Sequence, residues 1–195
     1  IEVYNHGGYI KTIPLKKSIQ LQTDSRFFYL NNTIYLSSVT KENSIVAYNC
    51  TSDSIKCLGK LDRLGTEKET FFRNERYVLI SGDKYIIAVS HSIPVIEKYN
   101  LNGDLIDIFD YKNIAPVKTR LKYIQSQEKK ANTVYEFMSD AYIESNKLYL
   151  ILISNENNDA FSNKILEVEI GDKMKATHLY KLNGGWFRTI CIAKN

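Results

Sequence analysis

Histidine is the residue type most often used for acid–base chemistry near neutral pH, and this chain of 195 residues has three: His6, His91 and His178. None lies in a spacing typical of metal ligands. His91 is the candidate functional residue, because segment 90–94 follows an apolar run and predicts a loop at a strand end. We interpret His6, in a glycine-rich turn, and His178, in an outer strand, as surface or packing residues. The sequence predicts no metal site and no cofactor.

The motifs of the common catalytic classes are missing from the sequence. It has no Gly-x-Ser-x-Gly nucleophile elbow, no P-loop, no dinucleotide fingerprint and no Cys-x-x-Cys. Two acidic pairs, Asp107 with Asp110 and Glu167 with Glu169, are typical of solvated outer strands. Segment 155–159 is rich in side-chain oxygens but lacks the spacing of a calcium loop, so we interpret it as a polar loop.

The other candidate binding residues lie in or near long connections. Two connections, 59–76 and 112–139, are longer than is usual between strands of a compact domain. The second connection contains Arg120, and its sequence predicts a short helix over 123–130. This connection is either a basic loop that recognises an anionic or glycan partner or an exposed insertion without a ligand. Trp186, the only tryptophan, is either a stacking platform at a binding face or a buried anchor.

Cysteine usage leaves one structural question open. Three cysteines are too few and too odd in number for a disulfide framework. Cys50 and Cys57 flank a short turn, which places Cys50 opposite Ile55 and Cys57 diagonally from it. The two residues are either bridged or two small apolar residues between sheets.

The elements that position these residues are predicted from an internal repeat. Three times along the chain, two apolar runs separated by a polar turn are followed by a second, more amphipathic pair of runs. A matching Tyr-Asn pair recurs at Tyr4, Tyr48 and Tyr99. Runs that are apolar on both faces predict strands packed between two neighbouring sheets. A plain β-sandwich also has short strands, but it does not predict this repeat. We therefore predict an all-β fold, a β-propeller of four-stranded antiparallel blades.

The repeat predicts one propeller domain over 1–195, with three complete blades and a partial blade at each end. The predicted blades are 1–15 (partial), 26–61, 76–110, 140–182 and 186–195 (partial). The terminal pieces are a hairpin and an opening strand over 186–192. Since these pieces do not close a ring, we expect a fragment of a longer propeller; the alternative is an unusual closure or a partner that completes it.

Composition and charge exclude several classes of protein. Hydrophobic residues make up 44% and charged residues 25%, which is typical of a globular protein and not of a disordered chain. The 26 basic and 22 acidic residues are scattered, so the sequence predicts no nucleic-acid partner. No apolar run approaches the roughly 20 residues that span a bilayer, so it also predicts no membrane-spanning segment.

Two segments carry a resemblance to a known family. Segment 94–105, Pro-Val-Ile-Glu-Lys-Tyr-Asn-Leu-Asn-Gly-Asp-Leu, resembles the outer hairpin of the six-bladed TolB-like or NHL-like propellers that are common among Bacteroidetes lipoproteins. Segment 140–152 resembles the opening hairpin of a blade in that group. The resemblance implies about six blades and a secreted or lipid-anchored protein of the periplasm or cell envelope, of unassigned function.

These observations favour a non-enzymatic binding module. Its propeller loops present a surface for an unknown protein, peptide or glycan, with His91, Arg120 and Trp186 as candidate ligand-binding residues. The alternative is a propeller hydrolase or lyase with a metal in the central channel, for which His91, Glu144 and Asp140 are the visible candidates. A third possibility is a structural domain whose neighbours in a longer chain carry the function.

Overall fold

The computed structural model describes residues 2–5, 8–12, 27–128 and 133–192, and the fold over these residues is mostly β. The predicted N-terminal hairpin is confirmed, with β1 (Glu2–Asn5) antiparallel to β2 (Gly8–Thr12). Its turn at His6 lies outside the described residues.

Twelve further strands form three four-stranded antiparallel sheets, which confirms the predicted three groups of four. The first sheet contains β3 (Phe27–Leu30), β4 (Thr33–Ser37), β5 (Ile45–Asn49) and β6 (Ser54–Leu58). The second sheet contains β7 (Arg76–Ser81), β8 (Tyr85–Ser90), β9 (Val95–Asn100) and β10 (Leu105–Asp110). The third sheet contains β11 (Met138–Glu144), β12 (Lys147–Glu156), β13 (Asp159–Ile170) and β14 (Met174–Lys181). In each sheet the spatial order of the strands is their order in the chain.

Strands β7 and β8 of the second sheet are buried on both faces, as their apolar runs predicted. One face packs against the first sheet in a cluster of Tyr35, Ile45, Ala47, Leu58, Val78, Ile80, Ile86, Ala88 and Tyr99. The other face packs against the third sheet in a cluster that includes Tyr77, Ile87, Val89, Ile96, Leu148, Leu150, Leu166 and Val168. Successive side chains of a strand point to opposite faces, so a run without polar residues serves both interfaces at once.

Each long connection contains a helix. In the first, α1 (Glu67–Arg73) begins at a capping box in which Thr66 and Glu69 satisfy each other's backbone N–H groups. In the second, the predicted helix over 123–130 is wrong in position, because α2 spans Ala115–Ser126. Pro116 lies in the first turn of α2, where a missing N–H costs nothing and the fixed φ favours the helix.

Both helices lie at the same end of the stacked sheets. At this end β4, β8 and β12 finish and β7 and β11 begin. Two hydrogen bonds join neighbouring sheets here: the Arg76 N–H donates to Ser37 Oγ at 3.0 Å, and the Phe137 N–H donates to the His91 carbonyl at 2.8 Å. We call it the helix-bearing end and define it by segments 38–44, 59–75, 91–94, 111–128, 133–137 and 157–158. The tight turns 31–32, 50–53, 82–84, 101–104, 145–146 and 171–173 lie at the opposite end.

Two further expectations about secondary structure are wrong. The predicted opening strand over 186–192 is absent, since Trp186 makes a single bridge to Ser162 and the residues after it are irregular. Segment 155–159 is not a loop: β12 and β13 continue to a two-residue turn at Asn157 and Asn158, both with positive φ. These short polar side chains tolerate the left-handed conformation that a tight hairpin turn requires.

The expected arrangement of the cysteines is also wrong. The register pairs Tyr48 with Ile55 and Val46 with Cys57, so Cys50 does not lie opposite Ile55. Cys50 and Cys57 are not bridged. Cys57 is exposed on the outer strand of the first sheet, so it is not a small apolar residue between sheets either.

Candidate functional site

Arg120 fixes helix α2 to the end of strand β12. Its Nη1 donates to Asn155 Oδ1 at 2.9 Å, and its Nε donates to the carbonyl of Glu136 at 3.0 Å. The backbone N–H of Asn155 donates to Thr119 Oγ1 at 3.4 Å. Contacts between residues 16 to 36 positions apart therefore hold the helix in place.

Two aromatic rings flank the guanidinium group of Arg120. Its central carbon lies 5.9 Å from the ring centroids of both Tyr123 and Tyr135, within the range of cation–π attraction. Burial lowers the pKa of Arg120 below its ordinary value. An arginine nevertheless stays charged near neutral pH, so the rings and the two oxygen acceptors stabilise a cation at this position.

A shallow cavity of about 300 Å³ lies beside this arginine; we call it the α2 pocket. It is lined by Thr119, Lys122, Tyr123, Ser126, Asn155, Asn157 and Asn158. Asn155 is only 8% exposed, and its Nδ2 has no hydrogen-bond partner among the described residues. Because a guanidinium group can only donate, the Asn155 oxygen must face Arg120, which assigns the unpartnered atom as a donor.

A second cleft, of about 650 Å³, lies between α1 and the first sheet; we call it the α1 cleft. Its lining combines charged and apolar side chains: Val39, Thr40, Lys41, Leu61, Arg63, Gly65, Glu67, Thr70 and Phe71. Arg63 Nη2 donates to the carbonyl of Lys41 at 3.0 Å, which joins the two segments that form the walls. Both cavities are at the helix-bearing end.

The structure brings two of the three predicted site residues together. His91 is at the helix-bearing end as predicted, but its side chain is buried at 6% exposure and packs on Tyr77 with ring centroids 4.5 Å apart. Its Nδ1 lies 4.0 Å from Glu136 Oε1, and Arg120 binds the backbone of the same Glu136. Trp186 lies beside Ser162 of β13 and is 49% exposed, so the buried-anchor alternative is wrong.

The residues considered for a metal centre are dispersed. Among the residues that the structure describes, no three His, Cys, Asp or Glu side chains lie close enough to hold a metal ion. The Asp140 carboxylate accepts from the N–H groups of Ala141 and Ile190, both at 2.8 Å. Glu144 is paired with Lys147 at the opposite end of β11, away from His91.

Sequence reasoning missed a polar cluster on the face of the third sheet that points away from the second sheet. Glu167 was interpreted as solvated, but its side chain is 3% exposed. It accepts hydrogen bonds from Lys147 Nζ (2.9 Å), Thr177 Oγ1 (2.8 Å), His178 Nδ1 (3.1 Å) and Tyr180 Oη (2.9 Å). Burial alone would raise the pKa of Glu167, but these donors lower it to about 2. Such a saturated carboxylate stabilises the sheet and has little capacity to accept a proton.

The sequence carries a faint signal for this cluster. In the observed register Glu167 lies opposite Tyr149 on one side and His178 on the other. Alternation alone places these side chains on one face, but only the register shows that they meet.

The helix-bearing end therefore combines a fixed cation, aromatic rings, amides and two cavities, which is a composition suited to binding. Over the described ranges, neither helix is long and apolar enough to cross a membrane. No protein-family model and no curated protein matches this chain.

Proposed function

We propose that this chain is a non-enzymatic binding module and that the helix-bearing end is its recognition surface. The observation that carries the proposal is that both long connections lie at one end of consecutive sheets, each with a helix and each beside a cavity. The opposite end has tight turns of two to four residues. Functional loops on a rigid scaffold are the usual way in which such a fold binds ligands.

The rigidity of the two connections supports this proposal. The side chain of the fully buried Asn74 donates to the carbonyl of Asp62 at 2.7 Å and accepts from the Asp62 N–H at 2.8 Å. This pair of bonds fixes the first connection in the way that Arg120 and Asn155 fix the second. A surface that is already ordered loses less conformational entropy when a partner binds.

The proposal extends to architecture and family. Three four-stranded sheets follow one another along the chain, and the second packs on both of the others, which supports the proposal that they are consecutive blades of a propeller. The resemblance of segments 94–105 and 140–152 supports the finer proposal of a six-bladed TolB-like or NHL-like propeller of the bacterial cell envelope. A crystal structure of the protein tests the propeller architecture: blades around a central axis would support it, and a flat layered stack would overturn it.

The binding role is tested with the 195-residue chain on a glycan array and against a displayed peptide library. Two variants remove side chains from the proposed surface. The first, in the α1 cleft, combines Lys41→Ala with Arg63→Ala; the second, in the α2 pocket, is Tyr123→Ala. The matched control, Lys84→Ala with Lys173→Ala, removes the same charge from the opposite end. Circular dichroism checks that each variant is folded.

We expect a retained ligand whose affinity falls about tenfold or more, roughly 1.4 kcal/mol, in at least one variant of the helix-bearing end. The control should bind as the unchanged chain does. The proposal would be overturned if only the control variant bound its ligand more weakly, or if neither the glycan array nor the peptide library yielded a ligand.

A further inference from the structure

The α2 pocket carries chemistry that identifies a class of ligand. We propose that it binds an acidic saccharide, a hexuronate unit of a glycan, with its hydroxyls on the asparagine amides and its carboxylate on Lys122. This inference rests on the proposed function, because it names the ligand of one part of the same surface.

Asn155 has an unpartnered donor. Buried polar groups in proteins almost always have a hydrogen-bond partner, so an exception needs an explanation, and a bound molecule is one such explanation. Asn155 Oδ1 is occupied by Arg120, and the backbone N–H of Asn155 is occupied by Thr119. Asn155 thus belongs to the wall of the pocket, and its buried Nδ2 is a donor from which no group of the described residues accepts.

The rest of the pocket combines amide groups with an aromatic ring, which is a lining suited to a sugar. Asn157 and Asn158 are exposed at a turn whose positive φ values of 51° and 70° fix the backbone that carries them. An amide offers a donor and an acceptor side by side, which matches two neighbouring sugar hydroxyls. Tyr123 adds an aromatic ring on which the apolar face of a pyranose can stack.

The charge of Lys122 and the volume of the pocket both match a single acidic sugar. Lys122 is the charged residue among the lining residues, and no described carboxylate forms an ion pair with it. Glu156, at the end of β12, is already paired with Lys164 at 2.6 Å. One available cation matches a single carboxylate and not the repeated phosphates of a nucleic acid. The volume of about 300 Å³ is at the low end for ligand sites and suits one sugar ring.

The test is a titration of the isotope-labelled chain by NMR with three probes at millimolar concentrations: methyl glucuronide, methyl galacturonide and the neutral methyl glucoside. We expect at least one uronide to shift the amide signals of Tyr123, Ser126 and Asn157. The neutral glucoside should bind about fivefold more weakly, since it lacks the ion pair with Lys122.

Two variants separate the roles of the pocket residues. Asn155→Asp keeps an oxygen for Arg120 but replaces the free donor by an acceptor, so uronide affinity should fall about tenfold or more while α2 stays in place. Lys122→Met should reduce uronide affinity to that of the glucoside. Lys118→Met is the matched control, because Lys118 is an exposed lysine of the same helix outside the pocket.

The proposal is overturned if neither uronide shifts these signals, if the glucoside binds as tightly as the uronides, or if Asn155→Asp binds like the unchanged chain. If the uronides fail but another ligand is lost in the α1-cleft variant, the saccharide inference falls and the proposed function stands. If no ligand depends on either cavity, both fall.

Discussion

Arg76 and Glu97 form an ion pair that is sealed between the first and second sheets. Arg76 Nε lies 3.4 Å from Glu97 Oε2, and the two side chains are 2% and 5% exposed. Arg76 Nη1 also donates to the carbonyl of Arg73 and to Ser90 Oγ, both at 3.2 Å. The pair thus links the interior of the sheet stack to the end of α1.

Removing one member of this pair should destabilise the protein strongly. Glu97→Leu leaves the Arg76 cation buried without its counter-ion, so the free energy of unfolding should fall by about 3–5 kcal/mol in urea denaturation. The double variant Arg76→Met with Glu97→Leu should recover most of that loss. As a control, Lys112→Ala breaks the exposed pair with Asp110 and should change stability by about 1 kcal/mol or less. Equal effects of Glu97→Leu and Lys112→Ala would contradict this view.

Acid should weaken the third sheet through Glu167. The pKa of its carboxyl is lowered from 4.5 to about 2 in the folded chain, so the folded state favours the ionised form. The resulting stability is complete above the unfolded pKa of 4.5 and is lost as the pH falls from there toward 2. In Glu167→Gln, the free energy of unfolding should depend less on pH over this interval. A carboxyl carbon signal of Glu167 that titrates near its ordinary pKa would disprove the assignment.

Gly103 should resist substitution more than Gly82 does. Both glycines have positive φ, at 88° and 56°, so alanine is strained at either position by about 1–2 kcal/mol. A Cβ on Gly103 would also lie 2.5 Å from Leu58 Cδ2 of the first sheet, whereas a Cβ on Gly82 would meet nothing within 4 Å. Gly103→Ala should therefore cost about 1–3 kcal/mol more than Gly82→Ala in thermal or urea unfolding. Equal costs would show that the turn does not press on the first sheet.

Asn74 should control the order of the first connection. Asn74→Ala removes the two side-chain bonds to Asp62 and leaves the part-buried backbone N–H and carbonyl of Asp62 unpaired, which should cost about 1–3 kcal/mol. Hydrogen exchange of segment 60–73 should accelerate more than that of β8. Uniform acceleration across all three sheets would instead indicate a global loss of stability. A ligand of the α1 cleft should also bind more weakly to this variant.

The strand pattern was predicted from the sequence because its causes are local. Asn49 and Asn100, which follow the matching tyrosines, are the last residues of their strands, and their side chains bind backbone N–H groups of the turn that follows. Asn49 Oδ1 accepts from the N–H groups of Thr51 and Ser52, and Asn100 Oδ1 accepts from the Asp104 N–H. Such contacts within a few residues, together with apolar alternation, are visible in the printed order of the residues.

Partners from distant strands were not predictable in this way. Lys98 reads as a solvated strand residue, yet it is fully buried and its Nζ donates to the carbonyls of Gly171 and Asp172 at 2.6 and 2.8 Å. The capping box that begins α1 at Thr66 was a local signal that the sequence interpretation did not use.

The sequence by itself determined the three groups of four strands and most of their turns, since backbone conformation depends on near neighbours. The tertiary structure decided that Glu167 and Lys98 are buried, that His91 is a packing residue beside Glu136, and that Arg120 and Asn155 meet at a cavity. The physical reason is that burial and pairing depend on the register of strands and the stacking of sheets, which join residues far apart in the chain.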